Sequence, residues 1–82
     1  MKITVDLGGT NVRAALIDES LILSIESESC KADSSMEEVL EQIAGMISRL
    51  MNDDVTDIGI GVPSVVDSVM GIVYDVVGIP SW

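Results

Sequence analysis

Polar and apolar positions alternate from the first residues of the chain. Ile3, Val5 and Leu7 interleave with Lys2, Thr4 and Asp6, the period-two pattern of a half-buried strand, which predicts a strand over 2–7. A second run over 12–18 sets Val12, Ala14 and Leu16 on one side and Arg13, Ala15 and Ile17 on the other. Asp18-Glu19-Ser20 supplies turn chemistry. A third run over 21–29 carries Leu21, Leu23 and Ile25 on one face, then leaves the core as Glu26-Ser27-Glu28-Ser29. Three strands joined by short turns predict an antiparallel meander.

The period then changes. Met36, Val39, Leu40, Ile43, Ile47, Leu50 and Met51 follow at spacings of three and four, the apolar stripe of a helix. Glu37, Glu38, Glu41 and Gln42 lie mainly off it. Ser34-Ser35-Met36-Glu37 reads as a capping box, with Ser34 as N-cap and Glu37 at N3. Arg49 falls in the last turn, where a cation suits the helix dipole, and Asn52-Asp53-Asp54 ends the helix. Ile58-Gly59-Ile60-Gly61-Val62-Pro63 predicts a further strand, with a buried Ile/Val face and a glycine face that something must approach closely. Val65-Val66-Asp67 continues it, Ser68 to Gly71 turns, and Ile72-Val73-Tyr74 is a last short strand. Val76 to Trp82 is an apolar, irregular tail, expected to pack against another part of a longer protein. The elements predict an α/β layer with a mixed sheet in the order β-β-β-α-β-β.

Composition narrows the function. The 82 residues make one small domain at most. Tyr74 and Trp82 are the only aromatics among 48% apolar residues, so the core is aliphatic. The net charge is −10, and Lys2, Arg13, Lys31 and Arg49 are the only basic residues; no basic face exists to bind nucleic acid through its phosphates. Cys30 is the only cysteine, which excludes an internal disulfide and reads as an inert thiol. Asp6 interrupts the N-terminus before any apolar signal region develops, and no run reaches the length of a membrane span. The expectation is a cytoplasmic protein without a membrane partner. With no His and a single Cys, neither a zinc ligand set nor a Ser-His-Asp triad can be assembled.

The chemistry concentrates at Asp6-Leu7-Gly8-Gly9-Thr10-Asn11. Gly8-Gly9 would let the chain turn with positive φ and let an anion approach the backbone. Thr10 and Asn11 add short polar side chains at the rim. Asp6 ends the first strand with a carboxylate, enough to recruit a phosphate-bound Mg²⁺ that keeps most of its waters. An ordinary glycine hairpin turn explains the same residues equally well. Gly59-x-Gly61-x-x-Ser64 is not a dinucleotide fingerprint, because Pro63, Val65 and Val66 follow where a helix should open, and no Gly-Lys-Ser/Thr phosphate loop is present.

Asp6 to Asn11 resembles the first phosphate loop of the actin-like ATPase fold, as it occurs in sugar kinases of the ROK family (repressors, open reading frames and kinases). Ile58-Gly59-Ile60-Gly61-Val62-Pro63 and Asp67 resemble that family's G-I-G-x-P-G-x-V-D segment, and the order of elements is similar from Ile3 to Trp82. The resemblance implies a truncated ribonuclease H-like, actin-like ATPase N-terminal lobe, with residues 1–82 the N-terminal portion of a sugar-kinase domain. It further implies ATP phosphates bound by Asp6, Gly8, Gly9, Thr10 and Asn11, with Asp6 ordering Mg²⁺ through water, and a sugar pocket edged by Pro63 and Ser64. Ser64 stands where the family usually has Gly, and Gly78-Ile79-Pro80-Ser81-Trp82 lacks the Asn of the usual P-N-L-x-x-W. The family's catalytic Asp, its zinc cluster and its second phosphate loop are expected beyond residue 82. The resemblance therefore implies a kinase acting on a hexose or N-acetylhexosamine, a homo-oligomer at full length, whose first 82 residues have no turnover of their own. Two other readings share the fold: a sugar-sensing repressor, disfavoured by a first strand starting at Lys2 with nothing before it, and a kinase with a non-sugar acceptor. A further expectation is self-association through the apolar tail and an unpaired sheet edge.

Overall fold

The computed structural model describes residues 1–64, 66–74, 76 and 78–81. Val65, expected to continue a strand, and Val77 and Trp82 of the tail lie outside the described residues. The elements run β1 (Lys2–Leu7), β2 (Asn11–Asp18), β3 (Leu21–Ser29), α1 (Met36–Leu50), β4 (Asp57–Gly61), β5 (Val66–Asp67) and β6 (Ile72–Val73). The expected meander is present: β1 pairs antiparallel with β2, and β2 with β3. The chain then crosses through α1 and returns as β4, parallel to β1, giving a mixed sheet in the order β3-β2-β1-β4. One strand more forms than expected, because Val66–Asp67 does not extend β4 but pairs with β6 in a separate two-stranded ribbon. Asp67 shapes its turn, its Oδ1 accepting from the N–H groups of Val69 and Met70 at 3.1 and 3.0 Å.

Alternation decides which face of the sheet is covered. Ile3, Val5 and Leu7 of β1 and Val12 and Ala14 of β2 are buried beneath α1, which contributes Val39, Ile43, Met46 and Leu50. The opposite face carries Lys2, Thr4 and Asp6, with Arg13 and Ala15 beside them, and no helix crosses it among the described residues. The molecule is accordingly thin, 34 × 29 × 18 Å. Its accessible surface of 5280 Å² exceeds the roughly 4,700 Å² expected of a compact monomer of this mass.

The helix differs from its expected form in three ways. Its N-cap is Ser35, not Ser34: the Ser35 hydroxyl accepts from the Glu38 N–H at 3.3 Å, one residue later than the capping box predicts. Its buried stripe includes Met46 and Gln42, while Leu40 and Met51 are exposed. The cause is a turn of the helix toward β3. Arg49 pairs with Glu26 at 2.7 Å and with Glu28, and Gln42 bonds the end of β3. Leu40 then faces the uncovered side over β4, where it lines a wholly apolar groove of about 250 Å³ with Ile60, Val62, Val66 and Val73. For the same reason the Ile/Val face of β4 is not buried; Ile58 and Ile60 are half exposed.

The tail also departs from expectation. Val76 and Ile79 are buried at 5% and 1% exposure in the core of this chain itself. A turn closed by the Ile79 N–H on Val76 O, at 3.2 Å, brings both side chains inward.

Candidate functional site

Adjacent parallel strands point their C-terminal ends to the same edge of a sheet, and loops leaving that edge are where α/β proteins bind ligands. Here β1 and β4 are the parallel pair, with Asp6 alongside Gly61. The loop 8–10 leaves β1 and the segment Val62-Pro63-Ser64 leaves β4, so the two stretches singled out in the sequence emerge side by side.

The loop is a tight connection between β1 and β2. The Gly8 N–H donates to Asn11 O at 3.0 Å, and Thr10 O accepts from the Cys30 N–H at 2.8 Å. Neither Gly8 nor Gly9 has positive φ; among the described glycines only Gly71 and Gly78 do. The expected reason for glycine here is therefore replaced by another, close approach. A Cβ at Gly8 would stand 3.0 Å from Asn11 O, and one at Gly9 would stand 3.0 Å from the Cα of Gly78. The tail thus backs directly onto the loop.

Asp6, Gly8, Gly9, Thr10 and Asn11 line one hollow of about 320 Å³, and Arg13 completes it. Pro63 and Ser64 are half-buried at the neighbouring strand end but do not line this hollow. Arg13 was not anticipated as a site residue. Counting across the glycine turn would have found it, because the hairpin register sets Arg13 opposite Asp6 on the open face. It makes no ion pair among the described residues, and a guanidinium fork suits phosphate oxygens. The lane beside Asp6 is bare: a Cβ at Gly61 would be 3.9 Å from Asp6 Oδ1, and nothing lies within 4 Å of one at Gly59. The close neighbour expected over the glycine face is thus absent at Gly59 among the described residues.

Among the described residues no group of three or more His, Cys, Asp or Glu could hold a metal ion. The donor set is one exposed carboxylate, Asp6. That suits a hydrated Mg²⁺ carried in on phosphate oxygens and would not retain a free ion. Cys30, whose N–H holds the loop, has its thiol pushed up in pKa by burial, which disfavours the nucleophilic thiolate.

A mixed sheet of three antiparallel strands, a crossover helix and a parallel fourth strand, with a glycine loop at the shared strand end, defines the N-terminal lobe of an actin-like ATPase fold. The ROK family model matches residues 2–78, and the chain belongs to the ROK family. Among solved structures it is similar to a ROK family glucokinase from Streptomyces griseus, in complex with glucose and AMPPNP, at 30% identity and a TM-score of 0.71 over 82% of this chain. It is also similar in fold to a candidate N-acetylmannosamine kinase from Listeria monocytogenes, at 22% identity and a TM-score of 0.65 over 80% of this chain. The chain spans 22% of the length of each of these solved chains. Comparison with curated protein sequences gave no match. No helix among the described residues is long and apolar enough to cross a membrane.

Proposed function

We propose that residues 1–82 are the N-terminal portion of an ATP-dependent sugar kinase acting on a hexose or N-acetylhexosamine. The observation that carries this reading is the shared edge of β1 and β4, where the hollow on Asp6–Asn11 and Arg13 lies beside the turn at Pro63–Ser64. The glucokinase relative supports it, since that protein holds a sugar and AMPPNP, a nucleotide with a triphosphate chain.

In this reading the backbone N–H groups of Gly9–Asn11 and the Arg13 guanidinium take the phosphates, oriented before the anion arrives, while the Gly8 N–H, held by Asn11 O, shapes the turn. Asp6 is the residue that would hold a hydrated Mg²⁺, and the metal would supply charge neutralisation on the phosphate chain. Pro63 and Ser64 edge the sugar pocket; the Ser64 hydroxyl adds a polar group where the family usually has only a glycine backbone. Phosphoryl transfer works by positioning and electrostatic stabilisation across a closed cleft. This chain supplies one wall, and the base that would accept the sugar proton belongs to the part beyond residue 82.

The test has two readouts. Mg-AMPPNP titrated into ¹⁵N-labelled chain should move the amide resonances of Gly8, Gly9, Thr10, Asn11 and Arg13, and a coupled ADP-release assay with glucose and N-acetylmannosamine should show no turnover. Resonance changes confined to other regions would refute the phosphate assignment. Turnover by these 82 residues would refute the placement of the base.

A further inference from the structure

Gln42 is the one buried polar side chain among the described residues, at 8% exposure. It lies on the flank of α1 that faces the end of β3, and its amide makes three hydrogen bonds. Nε2 donates to Ser29 O at 2.8 Å and to Glu28 Oε1 at 3.1 Å, while Oε1 accepts from the Lys31 N–H at 3.0 Å. The side chain therefore grips the backbone on both sides of residue 30. Residue 30 is the one that holds the loop, its N–H donating to Thr10 O at 2.8 Å.

We propose that Gln42 is a positioning residue for the loop 8–11. Its amide fixes the 29–31 backbone, which fixes the Cys30 N–H, which in turn orients the Thr10 peptide. In a planar trans peptide the N–H points opposite to the C=O. Tying the Thr10 carbonyl to β3 thus directs the Asn11 N–H away from β3. The chain of contacts runs from a helix to the loop with no flexible link in it, since every step after Gln42 is backbone. A buried amide is a stiff peg for this purpose, because leaving any of its groups unpaired is costly. An apolar side chain would fill the same space without setting the height of residue 30. The role in ligand binding rests on the reading of residues 6–11 as a phosphate loop; the hold on the loop does not.

Gln42→Met keeps the length and helix propensity of the side chain and removes all three bonds. In the ¹⁵N-labelled chain we expect the Cys30 amide to exchange about tenfold faster and the Gly8–Asn11 resonances to shift. Val5 and Ala14 should follow global stability only. Binding of Mg²⁺-tripolyphosphate should weaken severalfold at unchanged secondary structure. Gln42→Asn, with an amide on a stem one methylene shorter, gives a second reading of the same kind. Glu28→Ala removes only the Gln42 Nε2–Glu28 bond and the Arg49–Glu28 pair and should leave the loop resonances in place. Unchanged Cys30 exchange and loop resonances in Gln42→Met, or equal shifts in Glu28→Ala, would overturn the proposal. If the unsubstituted chain shows no loop response to Mg²⁺-tripolyphosphate, the phosphate reading fails, while the loop shifts in Gln42→Met still decide the role of Gln42.

Discussion

Alanine at Gly9 and alanine at Gly59 should move stability in opposite directions. At Gly9 the added Cβ would meet Gly78 Cα at 3.0 Å, its O at 3.2 Å and its C at 3.3 Å. All three are backbone atoms, so no side-chain rotation relieves the contact, and loop and tail must part by a few tenths of an ångström. Overpacking of this kind costs about 1–3 kcal/mol. At Gly59 no described residue lies within 4 Å of such a Cβ, and φ is not positive. Alanine there restricts the unfolded chain at no native cost, a gain of about 0.4–1 kcal/mol. In a domain of this size 1 kcal/mol corresponds to about 4–8 °C in Tm. Gly9→Ala should therefore lower the midpoint by at least about 4 °C, and Gly59→Ala should raise it by about 2–8 °C. Thermal and urea unfolding followed by far-UV circular dichroism give both numbers. A neutral Gly9→Ala would show that the tail does not back onto the loop. A destabilised Gly59→Ala would show that something covers β4.

The helix cap and the thiol give two further tests. Ser35→Ala should cost about 1 kcal/mol of unfolding free energy and Ser34→Ala much less; equal costs would return the cap to an ambiguous position. Burial raises the Cys30 pKa, so the folded chain keeps a proton that the unfolded chain loses. That contribution is fully present below the unfolded thiol pKa and falls as pH rises through the folded one. The urea midpoint should thus decline in the alkaline range, less so in Cys30→Ala, and alkylation by iodoacetamide should set in at higher pH in the folded chain than in the denatured one.

β1 and β2 were legible because alternation there reports burial: Ile3, Val5 and Leu7 are buried and their neighbours are not. β3 was legible only in extent: Leu21, Leu23 and Ile25, expected on a core-facing side, are all exposed. The helix was legible in extent but not in rotation. Its facing depends on Gln42 and Arg49 reaching Glu26, Glu28 and Ser29, and a periodicity count scores those two residues as surface. The lining of the hollow was legible as a stretch, from Asp6 to Asn11, but its one cation, Arg13, was not. Arg13 joins it only through cross-strand register. The reason for Gly9 was hidden for a similar cause: its close neighbour, Gly78, comes from the far end of the sequence.

β1 lies inside the sheet, with β2 on one side and β4 on the other. During synthesis it meets β2 almost at once, across the short glycine turn. Its second neighbour, starting at Asp57, does not exist until most of the chain has been made, and Ile79, which completes the core, comes later still. Contacts so distant in sequence close late and slowly. The ribosome therefore releases the loop at residues 8–10 early, and its last support comes only when Gly78 arrives behind it.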